Sequence, residues 1–150
     1  MSIERRYNPI DLQPDVAVGI KLPFVSKSGV LFDLSYSTEE QAISNLKNLL
    51  LTRQGERVMQ PLFGTTIQDS LFEQNTEDLQ AAIKDSIEEA VDFWLPYITI
   101  TRLTVTNVVS VLGQTEEQGV QITMSVAVNG QPVNTPVTFL ATLNDIEILA

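Results

Sequence analysis

The sequence predicts an α+β domain of two layers, with helices packed on one face of an antiparallel β-sheet. Three observations carry this. Two apolar stripes at helical spacing lie between Thr38 and Trp94. Runs of strict apolar alternation fill the last third of the chain. Between two of those runs stands the pair Asn129 and Gly130, a strong short-range signal for a tight hairpin. Helices come first and strands follow as a meander, so the helices are the available cover for the apolar face of each strand.

A chain of 150 residues suits one hydrophobic core. Residues 1–36 read as an irregular or extended N-terminal arm, because Pro9, Pro14 and Pro23 with Gly19 and Gly29 discourage long regular elements. Short extended pieces are expected at Val16–Leu22 and Val30–Leu34. The basic start is followed by no apolar stretch, so no signal peptide is expected. Residues 37–150 form the predicted domain.

The first helix is expected near Thr38, with Ser37 and Glu40, or Thr38 and Gln41, as a capping box. Ala42, Ile43, Leu46, Leu49 and Leu50 make its apolar stripe. Gly55 is placed to end it and Arg53 to complement its dipole. An extended apolar segment follows, with Pro61 fixing its approach and Gly64 permitting the turn after Phe63. Thr65–Gln74 is expected to hold a short helix with Ile67, Leu71 and Phe72 inward. Asn75 and Thr76, backed by Glu77 and Asp78, then offer an N-cap.

The second long helix is the clearest element. Leu79, Ala82, Ile83, Ile87, Ala90, Val91 and Trp94 share one predicted face, and Lys84, Asp85, Glu88, Glu89 and Asp92 the other. Pro96 ends it. Ile98 and Ile100 then alternate with threonines, and the phase changes at Arg102 and Leu103, which predicts a bulge or a short strand-like entry before the main strand. Gly113–Gly119 is expected to be a polar turn. Val120, Ile122, Met124, Val126 and Val128 alternate as a half-buried strand. Val137, Phe139, Ala141 and Leu143 make a third run, read as an edge strand because Pro132 and Pro136 precede it.

Composition excludes several kinds of chemistry. The net charge is −10, which disfavours a nucleic-acid partner. No run of apolar residues is long enough to span a membrane. The chain has no Cys and no His, which removes thiolate and imidazole metal sites and the Ser-His-Asp triad. No phosphate-binding loop or calcium loop is present, and no cofactor is expected. Catalysis would rest on carboxylates, Lys, Tyr or hydroxyls, and a glycosidase would draw on a pair such as Glu56 and Glu73. Among 19 acidic residues a close pair is expected by chance.

The stretch Leu49–Gly64 organises the chain. Arg53 and Arg57 flank Gly55 there, and two readings are open for them. One is helix capping and an internal ion pair; the other is a pair of guanidinium groups that recognises a partner's carboxylates.

The pattern Thr52, Gly55, Arg57, Pro61, Phe63, Gly64, then Leu71, Phe72 and Glu73, resembles the baseplate wedge proteins of contractile phage tails. These are similar to the product of gene 25 in T4-type phages and to the related baseplate component of type VI secretion systems. The resemblance runs from about Ser37 through the sheet. It implies a non-enzymatic α+β subunit of the virion tail baseplate, assembled in the host bacterial cytoplasm. The implied partners are other wedge proteins, the terminal arms of the tail sheath protein, and hub or tube-initiator proteins. Sheath arms would add strands to the sheet, with Val137 and Phe139 on the receiving strand or the opposite edge serving instead. Glu56 and Arg57 would lie at a partner contact. Gly55, Pro61, Phe63 and Gly64 would shape the turn. Many members carry Glu-Pro-Arg before the first long strand, where this chain has Leu95, Pro96 and Tyr97, so an apolar or aromatic contact would replace the ion pair. The family has also been labelled lysozyme-like, which keeps a carboxylate-dependent glycosidase as the alternative.

Overall fold

The computed structural model describes residues 9–13, 15–22, 32–70, 77–112, 115–134, 136–142 and 146–149. After a 3-10 turn at Pro9–Leu12 come β1 (Gly19–Ile20), β2 (Leu34–Ser35), α1 (Thr38–Leu51), α2 (Ile67–Ser70) and α3 (Glu77–Trp94). The strands β3 (Ile98–Leu112), β4 (Thr115–Val128), β5 (Gln131–Pro132), β6 (Val137–Thr142) and β7 (Ile146–Leu149) follow. Helices precede an antiparallel sheet, which is the predicted α+β class.

Helix α1 starts as its capping residues dictate. Ser37 sits in the extended region and its hydroxyl accepts from Glu40 N at 3.2 Å. The return bond reaches one residue further back than a capping box, from Tyr36 N to Glu40 Oε2 at 3.2 Å. A further carboxylate reaches this end from the arm: Asp11 Oδ1 accepts from Thr38 N at 2.7 Å and from Thr38 Oγ1 at 2.8 Å. Negative charge at the N-terminal turn of a helix is favourable.

The arm is anchored along α1. Its two expected extended pieces pair as the short β1–β2 ladder, Gly19 opposite Ser35 and Ile20 opposite Leu34. Gly19 lies under the Gln41 side chain, where a Cβ would come within 2.1 Å of Gln41 Oε1. A hydrogen-bond chain then runs along one face of α1. Ser35 Oγ donates to Gln41 Oε1 (2.5 Å), Gln41 Nε2 to Asn45 Oδ1 (2.9 Å), and Asn45 Nδ2 to the Tyr97 hydroxyl (2.9 Å). Buried Ser35 thereby has a partner, as a desolvated hydroxyl requires.

Helix α1 stops earlier than expected. Thr52 is its C-cap in an extended conformation, and Gly55 and Arg53 lie outside the helix. The physical reason is tertiary. Thr52 O accepts from Thr65 N at 2.9 Å and Gln54 N donates to Thr65 O at 3.2 Å, so pairing with a later segment replaces another helical turn. In α2 Ile67 is buried as predicted, whereas Leu71, Phe72, Asn75 and Thr76 lie outside the described residues. Helix α3 buries Leu79, Ile83, Ile87, Ala90 and Val91. Ala82, expected on that face, is exposed, since it sits one helical step around from Ile83.

The sheet runs β3-β4-β6-β7, with β5 beside the end of β4. The predicted bulge is present: register shifts between Ile100 and Arg102, leaving Thr101 as the extra residue. Its hydroxyl donates to Ser125 O at 2.9 Å. The β3–β4 hairpin is longer than expected, because Leu112 pairs with Thr115 and Gly119 is a strand residue opposite Val108. Pairing of the flanking residues extends both strands into what composition suggested was a turn. Asn129 (φ 50°) and Gly130 (φ 80°) form the expected two-residue hairpin, joining Val128 to Gln131. The β6 strand is interior, contrary to expectation. It pairs with β4 on one side and β7 on the other, through Thr138–Leu149 to Ala141–Ile146. The core fills the space between α1, α3 and one sheet face, with Leu46, Leu49, Ile83, Ile87, Met124, Val126 and Phe139 fully buried.

Candidate functional site

The segment from Thr52 to Thr65 folds as a knot of turns. Gly55 (φ 90°) lets its N–H reach Pro61 O at 2.7 Å, and Gln60 N and Phe63 N close further turns on Arg57 O and Gln60 O. Gly64 (φ 116°) brings the chain against the end of α1. A Cβ on Gly64 would stand 2.3 Å from Thr52 O, so only glycine fits there. Phe63 packs edge-on against Trp94 with ring centroids 5.2 Å apart.

The charged residues of this knot serve it internally. Glu56 Oε2 accepts from Arg53 N at 3.3 Å, and Arg53 pairs with Asp69 of α2. The Arg57 guanidinium lies 3.9 Å over the Phe63 ring and donates to Asn48 Oδ1 at 3.0 Å. The expected ion pair for Arg57 is therefore replaced by an aromatic face and an amide. Among the described residues the ion pairs are Arg53–Asp69 and Lys21–Glu40. Glu56 is exposed, and its glycosidase counterpart Glu73 lies outside the described residues.

The apolar residues of the knot do not form the expected extended segment. Val58 (93% exposed), Met59 (90%) and Leu62 (72%) face solvent, because the backbone turns here instead of extending. Phe93, on the last turn of α3, is 71% exposed and stacks edge-on against Trp94 at 5.0 Å. Between Leu62 and α3 lies an open groove of about 620 Å³.

The other predicted contact residues fall on different surfaces. Leu95 is buried in the core, Pro96 is exposed, and Tyr97 is half-buried with its hydroxyl bonded to Asn45. An apolar partner contact through Leu95 is thus ruled out by its burial. Val137 and Phe139 are buried on the interior strand β6 and are not on an edge. The edges of the sheet are β3 and β7.

Among the described residues no group of three or more carboxylates could hold a metal ion, and no helix is long and apolar enough to cross a membrane. Lys47 is half-buried, and burial lowers its pKa below the usual lysine range.

A sequence model of the family described as baseplate wedge protein gp25 matches residues 37–133. The fold is similar to a chain in the cryo-electron-microscopy structure of the anti-feeding prophage baseplate, symmetrised six-fold. That match has a TM-score of 0.58 at 21% identity, covering 73% of this chain and 83% of the other. It is similar also to a Geobacter sulfurreducens protein described as a tail lysozyme, with a TM-score of 0.52 at 23% identity, covering 76% of this chain and 93% of the other. No curated protein sequence matches the chain.

Proposed function

The chain belongs to the baseplate wedge protein gp25 family, and from that premise we propose that it joins the wedge to the first sheath ring and templates sheath assembly by strand addition. It is a structural component of a contractile tail baseplate. In the proposed role it works by binding and not by catalysis, in contact with other wedge proteins, the sheath's terminal arms and the hub or tube-initiator proteins at the virion tail, after assembly in the host bacterial cytoplasm.

One observation carries the sheath contact. Among the described residues no strand pairs with the outer side of β3. An unpaired edge exposes alternate backbone N–H and C=O groups, and proteins ordinarily blunt such edges with charge or proline. Past the Thr101 bulge, Leu103–Leu112 reads LTVTNVVSVL, with neither. An edge of that length and composition is suited to pairing with an arriving strand. The proposed receiving edge is β3, at the opposite end of the sheet from β7.

Proline tests this directly. In an antiparallel strand successive N–H groups point to opposite sides, so of the neighbours Thr106 and Asn107 one directs its N–H outward. Both side chains are exposed. Of Thr106→Pro and Asn107→Pro, one variant should keep the folded circular dichroism spectrum yet fail to initiate sheath on reconstituted baseplates. Normal sheath growth from that folded variant would reject the template role.

A further inference from the structure

Helix α3 carries two stripes. Leu79, Ile83, Ile87 and Val91 enter the core. About one helical step around, Ala82, Asp85, Ser86, Glu89, Ala90 and Phe93 line the open groove whose far wall is Leu62. These six positions are spaced three and four apart, the signature of one helix face. The floor is small (Ala82, Ser86, Ala90), one end is aromatic (Phe93 and Trp94), and the rim is acidic (Asp85 and Glu89). From Ala82 to Phe93 the groove runs about 16 Å along the helix axis, at about 1.5 Å per residue.

We infer that this groove seats an amphipathic α-helix from a co-assembling baseplate subunit, with large apolar side chains on one face and Lys or Arg flanking them. The partner's membership of the baseplate rests on the wedge reading; its chemistry rests on the groove. A helix fits because the walls are side chains of α3 and of a turn, so no free strand edge is available for main-chain pairing. A small-residue floor lets a second helix approach closely, and exposed Leu62 and Phe93 supply anchors at one end. The sign of the partner follows from the rim and from the exposed acids Glu88 and Asp92 beside it. A second copy of this chain, with its own charge of −10, is the wrong sign.

Trp94 lines the groove and is the only tryptophan in the chain, so it reports occupancy without a label. The full chain is titrated with a tryptophan-free model helix of Leu and Lys, its Leu-and-Glu counterpart, and a Leu-and-Lys scramble that is not amphipathic. Saturable change in Trp94 emission is expected with the first alone, weakening as salt is added. Leu62→Ser with Phe93→Ser should weaken it at least about tenfold with the folded spectrum retained, since both side chains are exposed. Asp85→Lys with Glu89→Lys should transfer the preference to the Leu-and-Glu helix. Equal binding of the scramble, or unchanged binding by either double variant, would overturn the groove assignment. The wedge reading is tested separately by pull-down of the wild-type chain with baseplate subunits. If wild type co-assembles and the Leu62→Ser, Phe93→Ser variant does so equally well, the groove is not the subunit contact although the wedge reading stands. If wild type binds the model helix but no baseplate subunit, the wedge reading fails and the groove chemistry remains.

Discussion

Two glycines in the organising turn share a left-handed backbone but differ in surroundings, and substituting each separates two costs. Gly55 has φ 90° and nothing within 4 Å of where a Cβ would sit; Gly64 has φ 116° with Thr52 O at 2.3 Å, Thr52 C at 2.9 Å and Arg53 C at 3.0 Å. Gly55→Ala should therefore cost only the conformational term, about 1–2 kcal/mol for an L-residue held at positive φ. Gly64→Ala meets backbone atoms that cannot rotate aside. Relieving the overlap pulls apart the Arg53–Thr65 bridge, whose bonds are Thr65 N to Thr52 O at 2.9 Å and Gln54 N to Thr65 O at 3.2 Å. Two such bonds at about 1 kcal/mol each, added to about 1–3 kcal/mol of backbone strain, give about 4 kcal/mol. For a domain of this size that corresponds to a fall in Tm of about 8–16 °C, against about 2–8 °C for Gly55→Ala. The assay is urea and thermal unfolding followed by circular dichroism and by Trp94 emission together, with coincident transitions required before free energies are compared. Equal losses for the two variants would refute the steric argument at Gly64, and so would a Gly64→Ala loss below about 1 kcal/mol.

Three further outcomes are expected. Leu95→Ala should destabilise the domain by about 2–4 kcal/mol in urea unfolding, because it opens a cavity in the core, so any loss of co-assembly in that variant reports folding first. Tyr97→Phe removes the acceptor at the end of the hydrogen-bond chain from Ser35 and should cost about 1 kcal/mol in the same measurement, with no change of spectrum. The Lys21–Glu40 pair (3.0 Å, side chains 34% and 44% exposed) should give a small pH dependence, below about 1 kcal/mol, because both groups are well solvated. Burial pushes the Glu40 carboxyl up, but hydrogen bonds from Lys21 and the Tyr36 amide win and hold it below its ordinary 4.5. Its contribution is complete above about pH 4.5 and is lost as pH falls through the lowered value. The hydrogen bond to Glu40 raises Lys21 above its ordinary 10.5, so that contribution is complete below about pH 10.5 and is lost as pH rises through the raised value. The stability difference between wild type and Lys21→Met should shrink at both extremes.

What the sequence made legible was what neighbouring residues decide among themselves. Ser37 capping Glu40, the Asn129–Gly130 hairpin and the Thr101 bulge are all settled within a few positions; the first two occur where the residue pattern offered them, and the bulge just before the phase change at Arg102 and Leu103. Features decided by distant partners were not legible. Gly55 looked like a helix terminator because nothing nearby announces that Arg53 will form a bridge with Thr65. The alternating run at Val137 looked like an edge because Pro132 and Pro136 precede it, yet the four residues of β7, too short to signal a strand, cover it. The groove was missed for a related reason. Ala82 was counted with the core stripe, although its companions Asp85, Ser86, Glu89 and Phe93 mark a second face. An apolar aromatic at Phe93, out of phase with Ile83 and Ile87, was the available signal.

The row of hydrogen bonds from Ser35 to Tyr97 has a polarity. Every link donates in the same sense, from hydroxyl to amide, amide to amide, and amide to phenol. Neither amide can turn over alone, since a reversed Gln41 would set donor against donor at Ser35 and acceptor against acceptor at Asn45. The two amides therefore turn over together or not at all, so the row keeps one sense from Ser35 to Tyr97. With one phenol lone pair engaged by Asn45, the Tyr97 hydroxyl keeps its proton to donate. A group arriving at the loop before β3 meets a hydrogen-bond donor whose sense is tied, along one face of α1, to that of Ser35.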